Sequence, residues 1–120
     1  MKATEIIMQD AQNNGVDGTI LLQYLHQQMF NHKTVLLQEN KSVLSLTKID
    51  NGVSVHLYSL DSPIILMKSL VSFLKKIRNM PQVKVIYGDT KNESILRLLG
   101  MIGLNVEPSN LPKYTWMARI

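Results

Sequence analysis

Residues Val83 to Leu104, VKVIYGDTKNESILRLLGMIGL, constrain the fold of this chain more than any other stretch. Val83, Val85 and Ile86 are apolar and β-branched, as a covered strand requires. Gly88-Asp89-Thr90 breaks the run. Asn92 is placed to cap a helix whose apolar positions are Ile95, Leu96, Leu98, Leu99 and Ile102, and Gly103 ends that helix. The unit reads strand, tight turn, helix, glycine stop.

The rest of the chain divides around this unit. Residues 3–12 have helical spacing, with Ile6 and Ile7 on one side, and Asn13-Asn14-Gly15 ends them. Asp17 or Thr19 caps a second helix carrying Ile20, Leu21, Tyr24, Leu25 and Phe30. Three strands follow. The first starts at Val35-Leu36-Leu37, and the second carries Val43, Leu44, Leu46 and Ile49. Asp50-Asn51-Gly52 is a hairpin signal, with Asn-Gly expected to supply positive φ angles. In the third strand Val53, Val55 and Leu57 alternate with Ser54, His56 and Tyr58, which predicts one core face and one facing a groove or solvent. The longest helix begins at Asp61-Ser62-Pro63, carries a stripe from Ile64 to Ile77, and stops at Asn79-Met80-Pro81. After the central unit come a short strand over Leu104 to Glu107, a loop, and a final strand over Tyr114 to Ile120.

Composition narrows the function classes. The 120 residues contain no cysteine, which removes disulfides and thiolate metal sites. No metal site is expected, since His26 and His32 are too far apart for a single-turn ligand pair. No apolar run approaches the ~18 residues of a membrane span, and Gln9 and Asp10 interrupt any signal-type segment. The net charge of +4 favours anionic partners, and Lys75, Lys76 and Arg78 form its one tight group. A solvated helix end explains that group as well as nucleic-acid binding does.

The stretch Asn92-Glu93-Ser94-Ile95-Leu96-Arg97-Leu98-Leu99-Gly100-Met101-Ile102-Gly103-Leu104 resembles the last helix of the GNAT superfamily of N-acetyltransferases. That helix typically reads Asn-Glu-x-Ala-x-x-x-Tyr-x-x-x-Gly-Phe; here Leu99 replaces Tyr and Leu104 replaces Phe. The element order is also similar to the family's, from its first helical pair onward. The resemblance implies an α/β (α+β) fold, with a central mixed, mostly antiparallel sheet of about six strands flanked by about four helices. Residues 1–120 would form one such domain.

The same resemblance implies where chemistry would lie. Family members hold the pyrophosphate of acetyl-CoA on a glycine-rich loop at the start of the long helix. Here that region is Leu60-Asp61-Ser62-Pro63-Ile64-Ile65-Leu66, which has no glycine. Asp61 is expected to put negative charge at the phosphate position, and Pro63 removes a donor. The cofactor contacts implied are the backbone of Leu57, Tyr58 and Ser59, with Ser62 and Asn92. Many members use a tyrosine at the Leu99 position to protonate the thiolate, and leucine cannot donate. Tyr87 is the substitute acid, with Tyr114 a further candidate, and His56 has a suitable unperturbed pKa for a base. Each also has a plain reading, as a rim aromatic or a half-exposed strand histidine.

Three functions remain open. The first is a GNAT-fold protein similar to small phage-encoded ones, with a degenerate acetyl-CoA site and a virion or host protein as partner. It would reside in the virion or the host cytoplasm. The second is an active, divergent N-acetyltransferase using acetyl-CoA. The third is a small module for nucleic acid or an acidic protein, using Lys75, Lys76, Arg78 and Lys84.

Overall fold

The computed structural model describes residues 1–120. The elements are α1 (Ala3–Asn13), α2 (Gly18–Phe30), β1 (Thr34–Glu39), β2 (Ser42–Ile49), β3 (Gly52–Ser59), α3 (Pro63–Arg78), β4 (Val85–Gly88), α4 (Glu93–Met101), β5 (Val106–Pro108) and β6 (Trp116–Arg119). The strands form one sheet in the order β1-β2-β3-β4-β6-β5. Every neighbouring pair is antiparallel except β3 and β4. The mixed, mostly antiparallel sheet of six strands and four helices expected from the sequence is the one observed. No helix is long and apolar enough to cross a membrane.

Local chemistry sets the helix ends. Asp17 Oδ1 accepts the N–H groups of Thr19 and Ile20 at 3.0 and 3.2 Å, and so caps α2. Asn92 Oδ1 does the same for Ser94 and Ile95 of α4, at 2.9 and 3.4 Å. At the other end of α4, Gly103 has φ of +95°. Leu104 N–H donates to Leu99 C=O at 3.0 Å, and Gly103 N–H to Gly100 C=O at 3.1 Å. This pair of bonds is the glycine-terminated helix end that the sequence suggests.

Three local expectations are corrected. In the β2–β3 turn Asn51 does not take a positive φ; Gly52 does. Glycine is required there because a Cβ would lie 2.4 Å from the Val85 carbonyl oxygen. The last strand begins at Trp116, not Tyr114, because Thr115 spends its side chain on the backbone after β4. The short strand starts at Val106, two residues later than expected, since Leu104 still belongs to the α4 terminus.

Two cores lie on opposite faces of the sheet. The larger packs Leu70, Phe73, Leu74 and Ile77 of α3 and Leu99 of α4 on Leu44, Leu46, Ile86, Trp116 and Ala118. The smaller packs Ile6, Ile7 and Leu25 of α1 and α2 on Val43 and Tyr58. Tyr58 is thus buried, so the polar-looking face of β3 is neither simply groove nor simply solvent. Of the basic group, Lys76 pairs with Glu39 at 2.6 Å, and Arg78 donates to the Gly103 carbonyl at 3.2 Å.

Candidate functional site: the cleft between β3 and β4

The parallel pair β3·β4 is in register at only two positions, Val53 with Ile86 and Ser54 with Tyr87. β3 continues to Ser59, whereas β4 ends at Gly88. The strands part because the chain after β4 is held on its other side. Thr115 N–H donates to the Gly88 carbonyl at 3.0 Å, Thr115 Oγ1 donates to the Thr90 carbonyl at 2.7 Å, and Thr90 N–H donates back to that oxygen at 2.9 Å.

The parting leaves backbone groups without a strand partner. Leu60 N–H donates to Lys41 C=O at 2.9 Å, which fixes the alternation of the β2·β3 ladder. Even-numbered residues of β3 bond to β2, and odd-numbered residues turn toward β4. Val55 N–H is the last that the two-position register engages. Leu57 then directs its N–H and C=O into the gap. The next such N–H, of Ser59, is taken by Asp10 Oδ1 at 3.2 Å.

The gap opens into a cleft of about 970 Å³ that runs through the sheet, lined from both faces. Its α1–α2 side carries Asp10, Tyr24, Ser45, His56 and Tyr58. Its α3–α4 side carries Leu70, Phe73, Leu74, Ile95, Leu99 and Trp116. The His56 and Tyr58 rings lie 4.5 Å apart. Loss of surrounding water lowers the His56 pKa below its ordinary 6.5, against an opposing pull from the Asp10 and Asp89 carboxylates. Burial pushes the Tyr58 phenol up, and the neighbouring Ser45 hydroxyl partly offsets this.

The residues named from sequence fall into separate groups. His56, Leu57 and Tyr58 line the cleft. Ser59 faces the start of α3, where its Oγ lies 2.7 Å from Ser42 Oγ and accepts the Asp61 N–H at 3.1 Å. Ser62 is the exposed N-cap of α3 and makes no side-chain cap. Asn92 is exposed, with its oxygen committed to capping α4. Tyr87 is buried beside the cleft wall rather than in it; its hydroxyl donates to Asn110 Oδ1 at 3.0 Å, and its ring lies 5.6 Å from that of Tyr114. Tyr114 does line the cleft.

Asp61 sits differently from the expectation. Its carboxylate accepts the Lys41 N–H at 3.1 Å and the Ser42 hydroxyl at 2.7 Å, with Ser69 Oγ at 3.4 Å. The charge is therefore spent on the β1–β2 turn. The N–H groups of Ile64 and Ile65, in the first turn of α3, have no acceptor within the chain. Such amides at a helix start are suited to an anion.

One residue of this region escapes sequence reasoning. Asp10 lies far from β3 in the chain, and only the fold brings it to Ser59. Trp116 is buried with its Nε1 unpartnered. Gly88 lies directly against it: a Cβ there would meet the Trp116 ring at 2.2 Å.

No protein-family model matches the sequence, and no curated protein sequence does. Solved structures do match by shape. The microcin self-immunity acetyltransferase MccE, in complex with acetyl-CoA and AMP, superposes with a TM-score of 0.58 at 12% identity, over 97% of this chain and 81% of that one. A mutant of the spermidine N-acetyltransferase SpeG from Vibrio cholerae gives 0.61 at 10% identity, over 97% and 86%. A chimera of that enzyme with hSSAT gives 0.60 at 9%, over 99% and 91%. With six strands in this order, a parallel pair that parts after two positions and these neighbours, the chain has the fold of the GNAT N-acetyltransferases.

Proposed function

We propose that the protein binds an acyl-CoA thioester in the β3–β4 cleft and transfers its acyl group to an amine. The observation that carries this reading is the unpaired N–H of Leu57 at the point where the strands part. A pantetheine arm lying along β3 would take the place of the missing strand, with its carbonyl oxygens accepting from such groups. The free amides of Ile64 and Ile65 supply the anion site for the pyrophosphate, in place of a glycine loop. MccE is solved with acetyl-CoA, which supports a CoA thioester for this fold.

In the step proposed, the amine lone pair attacks the thioester carbon, a C–N bond forms and the C–S bond breaks. His56 removes the extra proton from the amine, and the departing thiolate takes a proton from solvent or from Tyr114. Asp10 and Asp89, whose charges already act on His56, make that side of the cleft attractive to an ammonium group. Two of the similar structures are spermidine N-acetyltransferases, so a polyamine is the first amine to test.

A thiol-release assay with acetyl-CoA and spermidine tests this reading. Amine-dependent release of CoA, reduced at least tenfold by His56→Gln, is the expected result. Absence of both release and acetyl-CoA binding at millimolar concentration would overturn it.

A second reading has one observation in its favour: Leu99, where the family's acid tyrosine stands, is buried in the core. On that reading the fold is kept without catalysis. The protein would be of phage type, residing in a virion or in the host cytoplasm and contacting a virion or host protein.

A further inference from the structure

The two sides of the cleft differ in chemistry, and the α3–α4 side is lined by apolar side chains. Leu70, Phe73 and Leu74 of α3 and Ile95 and Leu99 of α4 face a space continuous with the β3–β4 gap. A groove lined by leucine and phenylalanine does not hold ordered water well. The whole cleft, both sides together, has a volume of about 970 Å³, which lies within the range of ligand pockets. One polar atom on that side has nothing to bond. Trp116 is 5% exposed, and its Nε1 is the one buried side-chain nitrogen or oxygen without a hydrogen-bond partner. The ring lies over Gly88, the first β4 residue past the last paired position, so this donor sits where the strands part. Buried donors of this sort are normally satisfied, by protein, water or ligand.

We propose that the α3–α4 side of the cleft is an acyl chamber: it selects CoA thioesters with chains longer than acetyl, and Trp116 Nε1–H donates to the carbonyl oxygen of the bound thioester. The inference rests on the acyl-CoA reading of the cleft and deepens it. Acetyl presents one methyl to a wall of aliphatic and aromatic side chains. A longer chain covers that wall, while its carbonyl remains at the mouth, beside the indole. Leu99 extends the apolar wall, where a hydroxyl would stand in the hydrocarbon path.

Trp116 is the only tryptophan in the chain, so its fluorescence reports on this site alone. The test titrates the full chain with CoA, acetyl-CoA, hexanoyl-CoA and decanoyl-CoA, reading emission and, in parallel, heat of binding. Each methylene buried should tighten binding about fourfold, so hexanoyl-CoA should bind far more tightly than acetyl-CoA and shift the emission. Trp116→Phe, which keeps the ring and removes the donor, should weaken hexanoyl-CoA binding about tenfold with the circular dichroism spectrum unchanged. Leu99→Phe, which fills the chamber, should lower the decanoyl-to-acetyl affinity ratio. Equal affinity for acetyl- and hexanoyl-CoA would overturn the chamber and leave the cleft reading standing. No binding of any CoA compound would overturn both. If Trp116→Phe binds as tightly as the parent, the donor role is wrong even where the chain-length preference holds.

Discussion

The indole of Trp116 lies against Gly88, so closely that a Cβ at position 88 would fall 2.2 Å from two ring carbons and 2.4 Å from Nε1. The two residues are register partners on β6 and β4, at the end of β4 where β3 has already departed. Gly88 is thus a packing glycine as much as a strand terminator. Gly88→Ala should destabilise the fold by about 1–3 kcal/mol through overpacking. A thermal melt and the Trp116 emission should change together. A melt at the parent temperature would mean that the ring moves freely.

Asp61 ties three elements. Its carboxylate bonds to the β1–β2 turn at Lys41 and Ser42 and reaches Ser69 of α3. Hydrogen bonds to a charged group contribute about 1.5–3 kcal/mol each when lost with the partner left buried. Asp61→Ala leaves the Ser42 hydroxyl and its Ser59 neighbour short of an acceptor. Urea unfolding should register a loss of about 2 kcal/mol or more. A loss below 0.5 kcal/mol, a surface-mutation value, would show that the carboxylate is not a fold staple.

His56 acts as base only when neutral. Its pKa is lowered by desolvation, so the neutral form persists below the ordinary value of 6.5. Activity should rise with pH through that lowered pKa and be level from neutral pH upward. In Asp10→Asn and Asp89→Asn variants one carboxylate that raises this pKa is gone, so the acid limb should move to lower pH. The kcat/KM profile of the three proteins measures this. An unmoved limb would assign the base elsewhere.

Glu39 accepts from Lys76 and Ser72, and both hold its carboxyl below the usual 4.5. A depressed carboxylate gives stability that is present above its unfolded pKa and lost as pH falls through the folded one. The pair is partly solvated, so its contribution is at most about 1 kcal/mol. In Glu39→Gln the melting temperature should fall slightly at pH 7, and the parent's extra loss below about pH 4.5 should be absent. Parallel melts from pH 7 to pH 3 would expose a mistake, because identical curves mean that the pair contributes nothing.

What the sequence revealed was local. The Asp17 and Asn92 caps, the Gly103 stop and the strand-helix order each depend on residues within a few positions of one another. The cleft depends on longer-range contacts. The departure of β4 rests on Thr115, 25 residues beyond the Thr90 it holds. Asp61 read as a phosphate-repelling charge because its partners lie 20 residues earlier, across a turn. Ser59 meets Asp10 over a separation of 49 residues. Asn92 was placed correctly as a cap, and that use is what occupies its oxygen.

The central claim is that an acyl-CoA arm completes the β3 edge, and backbone amide NMR tests it most directly. With unlabelled acetyl- or hexanoyl-CoA added to ¹⁵N-labelled protein, the account predicts the largest shifts at the amides of Leu57, Ile64 and Ile65 and at the Trp116 indole N–H. Ligand at 100 times its Kd should also stabilise the fold by about 2.7 kcal/mol. An unchanged spectrum at millimolar ligand, or shifts confined to residues away from the cleft, would contradict it.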